Sequence, residues 1–232
     1  MSNVVSNNEL QNTVAATGQL QKFGPVRIWE KGGMLRVLFV GNSIAWHSYR
    51  PEIGWFGDWG MAATAPEKDF MHLTVAKLEE KHGAIDFALA QLAEWEQKYP
   101  EGEGLLEEKY IPARDFKPDL IVVRIGENFP KTRPFDEQFK VYFDHMIEFL
   151  KNGGDAKVVV SDSFWKNKDR DARIHELAAE KGYTLCKIGD IEDDPRSMAL
   201  DEYEHRGVRV HPSDYGMACI AERLAATIET VL

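Results

Sequence analysis

Three places in this sequence set a chemically capable side chain at the end of an apolar run or at the start of a helix pattern. The first is Ser43, in Gly41-Asn42-Ser43-Ile44, directly after the run Leu35–Val40. A serine hydroxyl is a weak nucleophile until a neighbouring base takes its proton. The second is Asn128, in Gly126-Glu127-Asn128 after the run 119–125; its side-chain amide can donate to an oxygen on which negative charge develops. The third is His211, in Val210-His211-Pro212, just ahead of the last helix pattern. Imidazole is the side chain best suited to proton transfer near neutrality. Each has an ordinary alternative: Ser43 as a helix cap, Asn128 as a loop amide, His211 as a surface residue at a helix start.

The elements that must position these residues are legible as alternating runs. Strand-like stretches occupy 35–40, 85–90, 119–125, 156–160 and, more weakly, 184–188, and a short strand-like piece at 25–29 precedes the Gly32-Gly33 turn. Helix patterns cover about 67–82, 135–151 and 169–181, and a last one begins near Pro212, which suits a first helical turn. Near-continuous apolar strands separated by helices predict a doubly wound α/β fold: three α/β/α layers around a mostly parallel, five-stranded, flavodoxin-like sheet. Ligands bind such sheets beyond the carboxyl ends of the strands, where Ser43 and Asn128 are expected. Residues 1–33 read as a polar lead-in ending in the strand-like piece, and 34–232 as one catalytic domain.

In identity and order the three motifs resemble those of the SGNH (GDSL-like) hydrolases. That family has a Gly-Asp-Ser-like block near its start, a Gly-x-Asn block after a middle strand and a His-Pro block before the terminal helix. The resemblance spans roughly residues 34–232. It implies ester hydrolysis through an acyl-enzyme, with Ser43 as nucleophile, His211 as base, and the Ser43 amide and Asn128 side chain in the oxyanion hole.

Three departures stand out. Asn42 replaces the family's aspartate and keeps much of its local hydrogen bonding. No glycine follows 85–90 to supply the second oxyanion amide, so the expected donor is a backbone amide near Trp95 or Glu96. Val208 stands three residues before the histidine, where the family carries an acid. A Ser–His dyad steadied by a main-chain carbonyl is the favoured reading; Asp201, Glu202, Glu204 and Asp214 are the nearby substitutes.

The irregular segment 46–60 packs aromatics, glycines and charges directly after Ser43, as a lid would. Trp46, Trp59, Trp95, Phe129 and Trp165 are expected on the rim, and Glu127 either contacts substrate or organises its loop. Aromatic faces beside polar groups suit a sugar ring, pointing to a short acyl (acetyl) group on a carbohydrate or small polar substrate. A lipase or thioesterase for longer chains, or a silent carbohydrate-binding domain, are the alternatives.

The net charge of −10 argues against nucleic-acid and anionic-membrane partners. Cys186 and Cys219 match no metal spacing and read as buried structural thiols, and Glu192-Asp193-Asp194 reads as a solvated loop rather than a metal site. No metal or dinucleotide pattern is present, so no cofactor is expected. With no secretory leader or membrane-length run, the cytoplasm is the default location.

Overall fold

The computed structural model describes residues 24–232, so most of the polar N-terminal lead-in lies outside the described residues. Six strands form one sheet: β1 (Val26–Trp29), β2 (Leu35–Gly41), β3 (Ile85–Gln91), β4 (Leu120–Val123), β5 (Lys157–Ser161) and β6 (Thr184–Cys186). Their order is β1-β3-β2-β4-β5-β6, and every pairing is parallel except β1 with β3. Counted from β2, the five parallel strands run 2-1-3-4-5, the flavodoxin-like order. The sixth strand is the short piece before Gly32-Gly33. It pairs antiparallel along the outer side of β3, which a four-residue run cannot announce in advance.

The central strand explains the layering. Val37, Leu38, Phe39 and Val40 are all buried, because side chains alternate between two covered faces. Leu38 and Val40 join Ile121, Val123 and the helices α3 (Glu137–Lys151) and α4 (Lys168–Lys181). Val37 and Phe39 join Val122 and the helices α1 (Phe70–His82) and α5 (Asp214–Ile228) on the other face. Between β3 and β4 lie a short helix, α2 (Ala93–Gln97), and two further single-turn helices.

Helix starts follow their caps. Ser213, not Pro212, begins α5: its hydroxyl accepts from the Gly216 amide at 3.2 Å, leaving Pro212 outside the helix. Pro212 instead bridges to Met198. Cys186 is buried, Cys219 half-buried, and both are free thiols. Among the described residues no helix is long and apolar enough to cross a membrane.

Candidate active site

β2 delivers Ser43 to the carboxyl edge of the sheet through a turn in which the Asn42 carbonyl accepts from the amides of Ala45 and Trp46, each at 2.9 Å. The turn is so tight that a Cβ at position 41 would sit 2.3 Å from the Ala45 Cβ, so glycine is required there. The Ser43 hydroxyl does not cap a helix. It lies 2.8 Å from Nε2 of His211, 168 residues away in sequence. The Ser43 amide makes no hydrogen bond among the described residues and is free to donate.

The loop between Met198 and α5 carries His211, and the ring is 6% exposed. Burial pulls its pKa down to about 4, against an opposing influence from the Gly207 backbone. The ring is therefore neutral at pH 7. For Nε2 to accept from Ser43 the ring proton must sit on Nδ1, which is buried with no partner at hydrogen-bond geometry. Trp165 fixes the ring from the side, edge-on with centroids 4.9 Å apart, and is itself held by its indole N–H to the Val210 carbonyl at 3.1 Å.

No carboxylate among the described residues bonds to His211. Asp214 accepts instead from the amide and hydroxyl of Thr64 at 2.8 and 2.6 Å, and pairs with Lys68 at 2.8 Å. Asp201, Glu202 and Glu204 lie in the loop before the short helix Arg206–Arg209 and make no side-chain bond to the imidazole. Val208 is fully buried in a small apolar cluster with Trp55, Met61, Ala62 and Ala199. A buried valine in an apolar cluster thus occupies the position where the family carries an acid.

Beneath Ser43 the chemistry is the opposite. Asn42 is 1% exposed, and its amide nitrogen donates to Glu127 at 2.6 Å and to Glu96 at 3.2 Å. Its oxygen accepts from Arg124 at 2.9 Å and from the Ile44 amide at 3.2 Å. Arg124 forms a two-pronged pair with Glu127, 2.9 Å on each prong, with both side chains 1% exposed. Glu127 also accepts from the Phe164 amide at 3.0 Å. Burial alone would raise its pKa, but the charges of Arg124 and Arg170 outweigh this and hold it below the ordinary value. Glu127 is thus an internal anchor for its loop rather than a substrate contact.

Glu96 is the second buried acid. Its carboxylate accepts from the Gly126 amide at 2.6 Å, the Asn128 amide at 3.3 Å and the Asn128 side-chain nitrogen at 2.9 Å. Burial, with repulsion from Glu127, pushes its pKa up to about 7. Its backbone amide is not an oxyanion donor: it is spent inside α2 on the Leu92 carbonyl at 2.9 Å. Gly126 has φ of +149°, and a Cβ there would lie 2.6 Å from the Ser163 hydroxyl, so the loop can take this path only with glycine. Arg170 closes the loop from α4 by donating to the Gly126 carbonyl at 2.9 Å.

The aromatic residues divide. Trp46, Trp59 and Trp165 are half-buried; Trp165 lies against His211, Trp46 against Arg27 and Asp58, and Trp59 against Trp55. Trp95 and Phe129 are core residues: Trp95 stacks on Tyr142 at 4.2 Å and meets Phe129 edge-on at 5.7 Å. Trp95 sits on the inner face of α2, so it faces α3 and not the rim. The segment 46–60 has its own order. Trp46 donates to Asp58 at 3.0 Å, Arg27 of β1 pairs with Asp58 at 2.9 Å, and Trp55 donates to the His47 carbonyl at 3.0 Å.

Sequence reasoning passed over Arg124, Arg170 and the Glu96 side chain. Arg124 did leave a signal, as a lone charge closing the apolar run that leads to Gly126. A charge placed there, next to a strand buried on both faces, must be paired, and Glu127 lies three residues on.

No family model matches the sequence, and no curated protein does. Solved structures do. A family two carbohydrate esterase from Clostridium thermocellum in complex with cellohexaose superposes with a TM-score of 0.57 at 16% identity, over 87% of this chain and 66% of that one. A protein from Bacteroides uniformis described as a GDSL-like lipase gives 0.55 at 15% identity, over 86% and 97%. One from Parabacteroides merdae with the same description gives 0.53 at 14%, over 84% and 95%. The chain has the SGNH-hydrolase fold. At these identities the likeness is one of fold. Among the described residues no group of His, Cys, Asp or Glu could hold a metal ion.

Proposed function

We propose that this protein is a serine ester hydrolase working through an acyl-enzyme, with Ser43 as nucleophile and His211 as base in a dyad. The observation that carries this reading is the 2.8 Å contact between the Ser43 hydroxyl and Nε2 of a buried, neutral imidazole. Ser43 Oγ attacks the ester carbonyl while its proton passes to Nε2. The oxyanion that forms is met by the Ser43 amide and the Asn128 side chain. Expulsion of the alcohol takes the proton back from His211, leaving the acyl group on Ser43, and water then repeats the sequence to release the acid. With no carboxylate behind the ring, the edge contact of Trp165 holds the imidazole.

The preferred substrate is a short acyl group, acetyl first, on a carbohydrate or similar polar acceptor. The half-buried indole of Trp165, edge-on to the His211 ring, supports this, and a structural neighbour was solved with a cello-oligosaccharide. The test is a chain-length series of p-nitrophenyl esters alongside acetate release from acetylated sugars. Turnover greatest on acetate, and acetate release from the sugars, is expected. A rise toward octanoate points instead to a lipase or thioesterase, and no turnover on any ester points to a binding domain.

A further inference from the structure

One carboxylate ties together groups that come from two separate parts of the chain, both distant from its own helix. Glu96, on α2, receives the Asn42 side chain from the nucleophile turn, and the Gly126 amide, the Asn128 amide and the Asn128 side chain from the loop after β4. All four partners are donors, so the arrangement needs Glu96 as an acceptor on both oxygens, which is its ionised form. The two side-chain amides differ in their freedom. The Asn42 oxygen is pinned by Arg124 and the Ile44 amide, so that amide cannot turn. The Asn128 oxygen accepts no hydrogen bond among the described residues, and Glu96 alone decides which end of that amide faces inward.

We propose, on the reading of the site given above, that Glu96 is a positioning residue whose ionisation orients Asn128 as an oxyanion donor. Ionised, it takes one N–H of the Asn128 side chain and leaves the other for the reacting oxygen. Protonated, it becomes a donor itself, and the Asn128 amide turns to offer its oxygen.

The surrounding groups bear on this proton. Glu127, in the loop after β4, repels the charge on Glu96 and favours its protonation. Arg124 at the end of β4 and Arg170 of α4 act chiefly on Glu127. Tyr110, between α2 and β4, donates its hydroxyl to the Gln91 carbonyl and not to Glu96. His211 titrates about three units lower, near 4 against about 7, so the two protonations are separable. Activity controlled by Glu96 is therefore present above about pH 7 and lost as pH falls through it.

The test follows the Asn128 side-chain amide of the intact protein by 15N–1H NMR from pH 5 to 9, assigned by its loss in Asn128→Asp. In parallel it follows kcat and KM on p-nitrophenyl acetate, for the native chain and for Glu96→Gln. In the native chain the amide signals are expected to shift with a midpoint near neutrality, and kcat to rise with the same midpoint while KM stays nearly constant. In Glu96→Gln both transitions vanish, and kcat at pH 8 falls on the order of tenfold or more. An amide that does not respond to pH in the native chain overturns the proposal, and this arm needs no variant to fold. A transition that persists in Glu96→Gln, or an amide that titrates while kcat does not, also overturns it. If the amide behaves as expected but no ester is ever turned over, Glu96 does orient Asn128 and the hydrolase reading is what fails.

Discussion

The proposed nucleophile and base are braced by opposite means. Ser43 rests on a dense polar network in which Asn42, Glu96, Arg124 and Glu127 answer one another's hydrogen bonds while almost fully buried. His211 is steadied edge-on by Trp165, with one ring nitrogen left unpartnered, and Val208 three residues before it is buried in an apolar cluster. The network fixes the backbone that presents the Ser43 hydroxyl and the proposed oxyanion donors. The apolar side lowers the basicity of the imidazole and steadies it by shape. A site of this kind puts its electrostatic precision where charge develops on substrate, and asks of the base only that it be neutral and in place.

Removing either reacting group should have the largest effect. Ser43→Ala and His211→Ala are each expected to lower kcat/KM by at least about 10⁴-fold with little change in thermal stability, measured by ester turnover and thermal melts. Comparable activity in either variant would break the dyad.

The next effect separates the two sides by stability. Glu127→Ala strands the buried Arg124 charge and is expected to cost about 3–5 kcal/mol in denaturant unfolding. Arg124→Met combined with Glu127→Leu should recover most of that stability, but not the activity, because Asn42 loses two of its four side-chain partners. A loss below about 1 kcal/mol for Glu127→Ala would mean that the network is not what holds the nucleophile turn.

On the base side, Trp165→Ala removes the edge contact and the bond to the Val210 carbonyl, so kcat should fall by roughly 10- to 100-fold through misplacement of the ring. Trp165→Phe, which keeps an edge, should recover part of this. The smallest effect is expected at Asp214. Its carboxylate is engaged by Thr64 and Lys68, so Asp214→Ala should change the rate by no more than about twofold. A loss there as large as at His211 would make Asp214 the missing acid.

The contrast also separates what could be read from the sequence from what could not. The positions of Ser43 and His211, which the structure brings to 2.8 Å of each other, are legible because each lies at the edge of a regular element, and periodicity reports those boundaries. The parallel order of the sheet was visible because its strands are apolar on both faces. At Glu96 the sequence points to the backbone amide, yet it is the side chain that is engaged, by partners from the turn after β2 and the loop after β4. Pairings across that much sequence leave no local pattern. Val208 was noted as a missing acid, but that it belongs to an apolar cluster under the segment 46–60 emerges only from tertiary packing. Trp95 followed a strand as a rim residue would, and the inner face of a five-residue helix turned it into the core.

The most direct test of an activated Ser43 is intact-mass labelling by a fluorophosphonate, followed by peptide mapping. One adduct per chain, on Ser43, is predicted; it should be absent in Ser43→Ala and form at least about 10²-fold more slowly in His211→Ala. No adduct on the native protein, or one on another residue, would contradict the account.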